Sequence, residues 1–235
     1  MMERIDISVP TGWNELSVDQ LLEVSRVMDL ALTKEEVLFI LTCRFGGLKL
    51  IQTVGGVSIF TDKEKHRFAL QDWQIVDFCK RLSWVLDTVP VDIVSPLGID
   101  GHLDKVNFEN YFGADANMFR FNYTGDVKFL CLALKLLGYK RRCPNRTMRR
   151  AVSIWWTGVQ GYLKGLYPNV FAGDGYAYEY NPRETYKNIM LMLNDDRPQD
   201  NETICKTNVH DVLPALDSRI MKSKQMEEQM KKHGV

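Results

Sequence analysis

Leu48-Lys49-Leu50-Ile51-Gln52-Thr53-Val54-Gly55-Gly56-Val57-Ser58-Ile59-Phe60-Thr61 is the stretch on which the fold class turns. Two short runs rich in branched residues flank a Gly-Gly pair. Tight turns that match the twist of paired strands need positive φ, which glycine adopts without a Cβ penalty, so this pattern predicts an antiparallel hairpin. His66 to Leu70 can add a third strand. Everywhere else the apolar residues recur at helical spacing. The expectation is a mainly α, multi-helix globular domain with a small antiparallel β-hairpin or sheet inserted near residues 48–70.

Toward the N-terminus, Ile5, Ile7 and Val9 alternate with polar residues and suit a short strand stopped by Pro10; Trp13 follows as a packing anchor. Ser17 is placed to cap a helix carrying Val18, Leu21 and Leu22, and Thr33-Lys34-Glu35-Glu36 has capping-box spacing for a second helix through about Phe45. Gly46-Gly47 ends it.

Toward the C-terminus, Asp72 opens a helix with Trp73, Ile75, Val76, Cys79, Leu82, Val85 and Leu86 mostly on one face. Residues 88–106, with Pro90, Pro96, Gly98 and Gly101, read as an irregular connection. Short helices are expected near 107–112 and 115–121, then longer ones at 127–137, 151–166, 183–193 and 202–213, with Pro214 kinking or ending the last. The resulting parts are 1–87, a helical part with the hairpin; 88–106, the connection; 107–216, a second helical part; and 217–235, a polar C-terminal helix or tail. They are expected to pack as one compact unit.

Composition bounds the function. The 235 residues are 45% hydrophobic and 26% charged, with 30 basic and 30 acidic side chains, so formal net charge is zero. That balance argues against a nucleic-acid coat or a membrane-surface protein. No apolar run reaches the roughly 18 residues of a membrane span, and no signal peptide is visible at the start. Five scattered cysteines, Cys43, Cys79, Cys131, Cys143 and Cys205, read as reduced thiols of a cytoplasmic protein.

No phosphate loop, dinucleotide fingerprint, zinc-protease helix or Cys-x-x-Cys pair occurs. The expectation is therefore no enzyme, no cofactor and no metal. His102, between Asp100 and Asp104, has the residue types of a base or metal ligand, and equally of a solvated loop. Asp195, Asp196 and Asp200 lack calcium-loop spacing and read as a turn. Tyr176, Tyr178 and Tyr180 stud a glycine-rich loop; tyrosines bury much area at low entropic cost, so they are candidates for partner contact, or for folding back on the helices. Trp155-Trp156 point in different directions on one helix, so one is expected in the core and the other, taken as Trp156, half-buried or at an interface. Lys140, Arg141, Arg142, Arg146, Arg149 and Arg150 make six cations in eleven residues with no acid. Such a run suits phosphates, an acidic protein partner, or a solvated loop paired with acids elsewhere.

Several patches resemble small proteins encoded in the tail-gene region of Bacteroidetes phages and prophages. They are Val9-Pro10-Thr11-Gly12-Trp13-Asn14-Glu15-Leu16 with Asp19-Gln20-Leu21-Leu22; then Asp115, Tyr123, Asp126 and Leu130–Leu137 before Tyr139; then Leu191 to Leu216. The resemblance implies a non-enzymatic assembly protein, either a tail-assembly chaperone or a minor tail or connector component. Its partners would be other phage structural or assembly proteins, with a homo-oligomer as a further option, and its place the host cytoplasm or the virion. A nucleic-acid-binding adaptor using residues 140–150 is the alternative.

Overall fold

The computed structural model describes residues 7–171, 181–195 and 197–233. The fold is mainly helical with one small three-stranded antiparallel sheet, as the sequence predicts. The elements are α1 (Val18–Met28), α2 (Lys34–Gly46), β1 (Lys49–Val54), β2 (Val57–Thr61), β3 (Arg67–Gln71), α3 (Asp72–Lys80), α4 (Trp84–Asp87), α5 (Phe108–Thr124), α6 (Val127–Leu136), α7 (Arg146–Leu166), α8 (Pro182–Asn194), α9 (Asn201–Lys206) and α10 (Val209–His233). Among the described residues, no helix is long and apolar enough to cross a membrane. The chain forms two compact units: residues up to Pro96 with Pro144–Gly158, and Leu97–Cys143 with Val159 onward.

The first unit holds the sheet. Both capping boxes form: Ser17 accepts from the Gln20 backbone N–H, and Thr33 accepts from that of Glu36. Trp13 is buried, with its ring edge-on to Trp84 at 5.2 Å and its indole N–H donated to Thr88 Oγ1 at 3.1 Å. Leu16, Leu21, Val24, Val27, Val37, Leu41, Leu82 and Val85 complete the core around it. Residues 7–10 form no strand, since nothing pairs with them among the described residues.

Gly55 and Gly56 take φ of +58° and +78°, as a two-residue hairpin turn requires, and Val54 faces Val57. β2 is central and alternates, with Ser58 and Phe60 buried; Phe60 packs against Phe39 and Phe68. Ile51 is bulged out of the β1–β2 register, and every residue of β1 is exposed. The single helix expected over 72–86 is broken into α3 and α4 at Arg81–Ser83.

The second unit is built on α5, which packs against α6, α9 and α10. Two short helices were expected where α5 runs unbroken, because Gly113 is tolerated inside it. A Cβ there would meet Leu136 Cδ1 at 2.9 Å, so the missing side chain lets α6 approach closely. α10 likewise runs through Pro214, so the residues expected as a helix or tail after 217 are helical to His233.

The expectation of five reduced cysteines fails for two of them. Cys131 on α6 and Cys143 are disulfide-bonded, with Cα atoms 5.7 Å apart, because the chain turns back after α6 and carries Cys143 alongside the helix. Cys43, Cys79 and Cys205 remain thiols. A closed loop of this length stabilises by about 3 kcal/mol through lost unfolded-state entropy. Cys131→Ser/Cys143→Ser is expected to lower the unfolding free energy by about that much, measured in denaturant. Alkylation of the unfolded, unreduced chain should label three cysteines rather than five.

Candidate functional site

The basic segment does not act as one patch. α7 begins inside it: Asn145 accepts the Met148 backbone N–H at 3.0 Å as an N-cap, so Arg146, Arg149 and Arg150 lie in the first turns of a helix. Arg146 and Arg150, one helical turn apart, share Asp29 at 3.3 and 3.5 Å. Arg149 Nε donates to the Pro144 carbonyl at 2.8 Å. Exposed pairs of this kind contribute no more than about 1 kcal/mol each, yet they satisfy these cations within the first unit.

Lys140, Arg141 and Arg142 differ. They belong to the second unit and have no carboxylate within ion-pair distance among the described residues. They lie between two fixed points. Gly138, with φ +86°, donates its N–H to the Lys135 carbonyl, and Tyr139 donates to that of Leu134 at 2.8 Å, which closes α6 in a Schellman motif. Four residues beyond Tyr139, Cys143 is bonded back to α6.

Residues 97–106 face this turn. The Asp100 carboxylate accepts the backbone N–H groups of His102 and Asp104 at 3.0 and 2.9 Å, so it organises the loop rather than the imidazole. The His102 ring sits edge-on to Tyr162 at 4.8 Å, and its carbonyl accepts from His210 Nε2. His210 Nδ1 in turn meets the Tyr167 hydroxyl at 2.9 Å, and Asn208 Nδ2 donates to the Asp104 carbonyl at 2.6 Å. His102 and its flanking carboxylates are thus parts of a braced loop. His210, with no signature in the sequence, is a strut of it. Leu97, Ile99, Lys105, Leu137, Tyr139 and Arg141 help line a cavity of about 520 Å³ between the loop and the cationic turn.

The other sequence candidates resolve as follows. Tyr176, Tyr178 and Tyr180 lie outside the described residues. Trp156 is not at an exposed interface: it is 4% exposed, and Trp155 is 1% exposed. Adjacent helical residues differ by about 100°, and α7 is covered over a wide arc, from Ala151 through Trp155 and Val159 to Val152 and Trp156, so both rings are enclosed. Asp195 receives Arg219, which holds its carboxyl below the usual range, as befits a turn. Among the described residues no three His, Cys, Asp or Glu side chains converge as metal ligands.

The exposed apolar surface lies elsewhere, on the first unit. Trp73 and Val76 are 66% and 51% exposed, while Ile75, Phe78 and Cys79 take the opposite face of α3. They do not share one face as the sequence reading held. Trp73 donates its indole N–H to the Gln71 side chain at 2.5 Å; Gln71 pairs with Val57, and Val57 with Val54, which is 64% exposed. The patch therefore runs from α3 across the sheet to its β1 edge. The sequence carries a signal for it: apolar residues on both faces of a short helix that follows directly on a small sheet.

Cys43 is half-buried beside Cys79. Burial, and secondarily Cys79, push its thiol up to about 11 from an ordinary value of 9.0. The native state keeps this proton after the unfolded chain has released its own, so the Cys43 contribution to stability is constant below about pH 9 and falls as pH rises from there toward 11. Iodoacetamide at pH 8 should modify native Cys43 roughly a hundredfold more slowly than a free thiol. Peptide mapping over time checks this.

No known protein family, curated protein or solved structure matches the chain.

Proposed function

We propose that the protein works by contact with other proteins, as a non-enzymatic component of phage-type tail assembly. One observation carries the contact role: the patch from Val76 and Trp73 to Val54 and the exposed strand β1. Contiguous apolar surface of this kind on a folded unit marks a place where another macromolecule is covered or covers. Among the described residues nothing pairs with the outer edge of β1, and an extended partner segment can meet backbone groups there. The tail-gene resemblance supplies the setting, and the partner is an apolar segment of another assembly component. The alternative of a nucleic-acid adaptor is weaker, because Arg146 and Arg150 are committed to Asp29 and no aromatic side chain interleaves residues 140–150.

Trp73→Ser/Val76→Ser removes apolar surface already in water, so its melting temperature should stay within a few degrees of the parent. Tagged protein from the native host should co-purify with its partner, or be found in the particle by mass spectrometry, and the double variant should lose either association. Recovery of the parent protein from neither complex nor particle sinks the proposal, as does full retention by the variant.

A further inference from the structure

The cavity between residues 97–106 and the turn after α6 has a charge and a shape that the contact role does not use. Its lining carries Lys105, Lys140 and Arg141 against one carboxylate, Asp100, a balance of three cations to one anion, or +2. Asp100 accepts two backbone N–H groups and forms no ion pair with these cations among the described residues, while its charge counts in that balance. From Val127 to Gly173 the sequence contains no acidic residue, so Lys140 and Arg141 have no carboxylate close by in the chain. Like charges at 140, 141 and 142 repel one another, and the Schellman motif and the disulfide keep their backbone from spreading. An anion seated among them relieves that repulsion, and it meets a wall whose ordering cost was met on folding.

The floor is apolar: Leu97, Ile99, Val106 and Leu137 line it, with Tyr139 at the side. At about 520 Å³ the cavity exceeds a bare inorganic anion and falls within the range that encloses a small organic ligand. We propose that this cavity binds a small organic phosphate monoester, its phosphate held by Lys105, Lys140 and Arg141 and its flat apolar body resting on the floor beside Tyr139. A phosphate monoester carries close to two negative charges at neutral pH, matching the +2 lining, and its oxygens suit an arginine fork with lysines as point charges. A carboxylate brings only one charge. A continuous nucleic-acid strand needs a basic track, whereas beyond Cys143 the next cations, Arg146 and Arg150, are paired with Asp29. The proposal is independent of the assembly role.

Calorimetric titration of the oxidised, full-length protein tests it, with adenosine 5′-monophosphate, inorganic phosphate and adenosine as probes. The monophosphate is expected to bind with a Kd on the order of 0.1–1 mM, inorganic phosphate more weakly, and adenosine undetectably. Arg141→Ala and Lys140→Ala should each weaken the monophosphate about tenfold, as loss of a charge-assisted bond does. Arg142→Ala removes the same charge from a residue that does not line the cavity, and should change affinity by less than about twofold. Reduction of Cys131–Cys143 frees the cationic turn and should weaken binding roughly fivefold. Absence of saturable monophosphate binding overturns the proposal. So does adenosine binding equally well, an Arg142→Ala loss as large as that of Arg141→Ala, or undiminished binding by the reduced protein. A single-stranded oligonucleotide without a terminal phosphate that binds as tightly through Lys140 and Arg141 points to a nucleic-acid surface instead, and equally overturns it.

Discussion

Leu103 is fully buried with φ at +62°, a backbone conformation that L-residues avoid. The left-handed region costs roughly 1–2 kcal/mol; burying a leucine side chain returns about 1.5–3 kcal/mol. The balance favours burial, and the strained position persists because the hydrophobic term outweighs it. With Leu103 turned inward, His102 and Asp104 on either side are placed to offer their carbonyls to His210 and Asn208, and the Asp100 carboxylate caps both of their N–H groups. The wall of the cavity, the seat of His102 and the attachment of the start of α10 to this loop all follow from that single inward turn.

The same loop shows why a histidine between two carboxylates is a poor guide to chemistry. A carboxylate near an imidazole in sequence has a nearer set of donors in the backbone N–H groups of its own turn, and these win at Asp100. The residues that carry exposed chemistry are those the fold leaves without such local partners. Lys140 and Arg141 are left so in the second unit, and the apolar side chains of Val76 and Val54 stay exposed in the first. The basic run illustrates the division: one half is drawn into a helix and paired with Asp29, while the other is held on a short tethered turn.

Much of the architecture is local physics and is legible in the chain. The capping residues Ser17 and Thr33, the Gly55-Gly56 turn and the alternation in β2 each depend on contacts within a few positions. Errors fall where a local signal competes with packing. Gly113 and Pro214 are breakers by propensity, yet both sit inside continuous helices, Gly113 because Leu136 uses the space left by its missing Cβ. Trp156 looked half-exposed because adjacent helical positions diverge, a rule that fails when a helix is covered over a wide arc.

The sequence by itself determined the helical class and the inserted hairpin, because periodicity, capping and turn chemistry act over a few residues. Tertiary structure alone decided that Cys131 meets Cys143, that Asp29 takes Arg146 and Arg150, that His210 braces the His102 loop, and that one face of α3 stays in water. Each of these depends on which surfaces come together, and no local pattern encodes a meeting across the 108 positions between His102 and His210, or even across the 12 between Cys131 and Cys143.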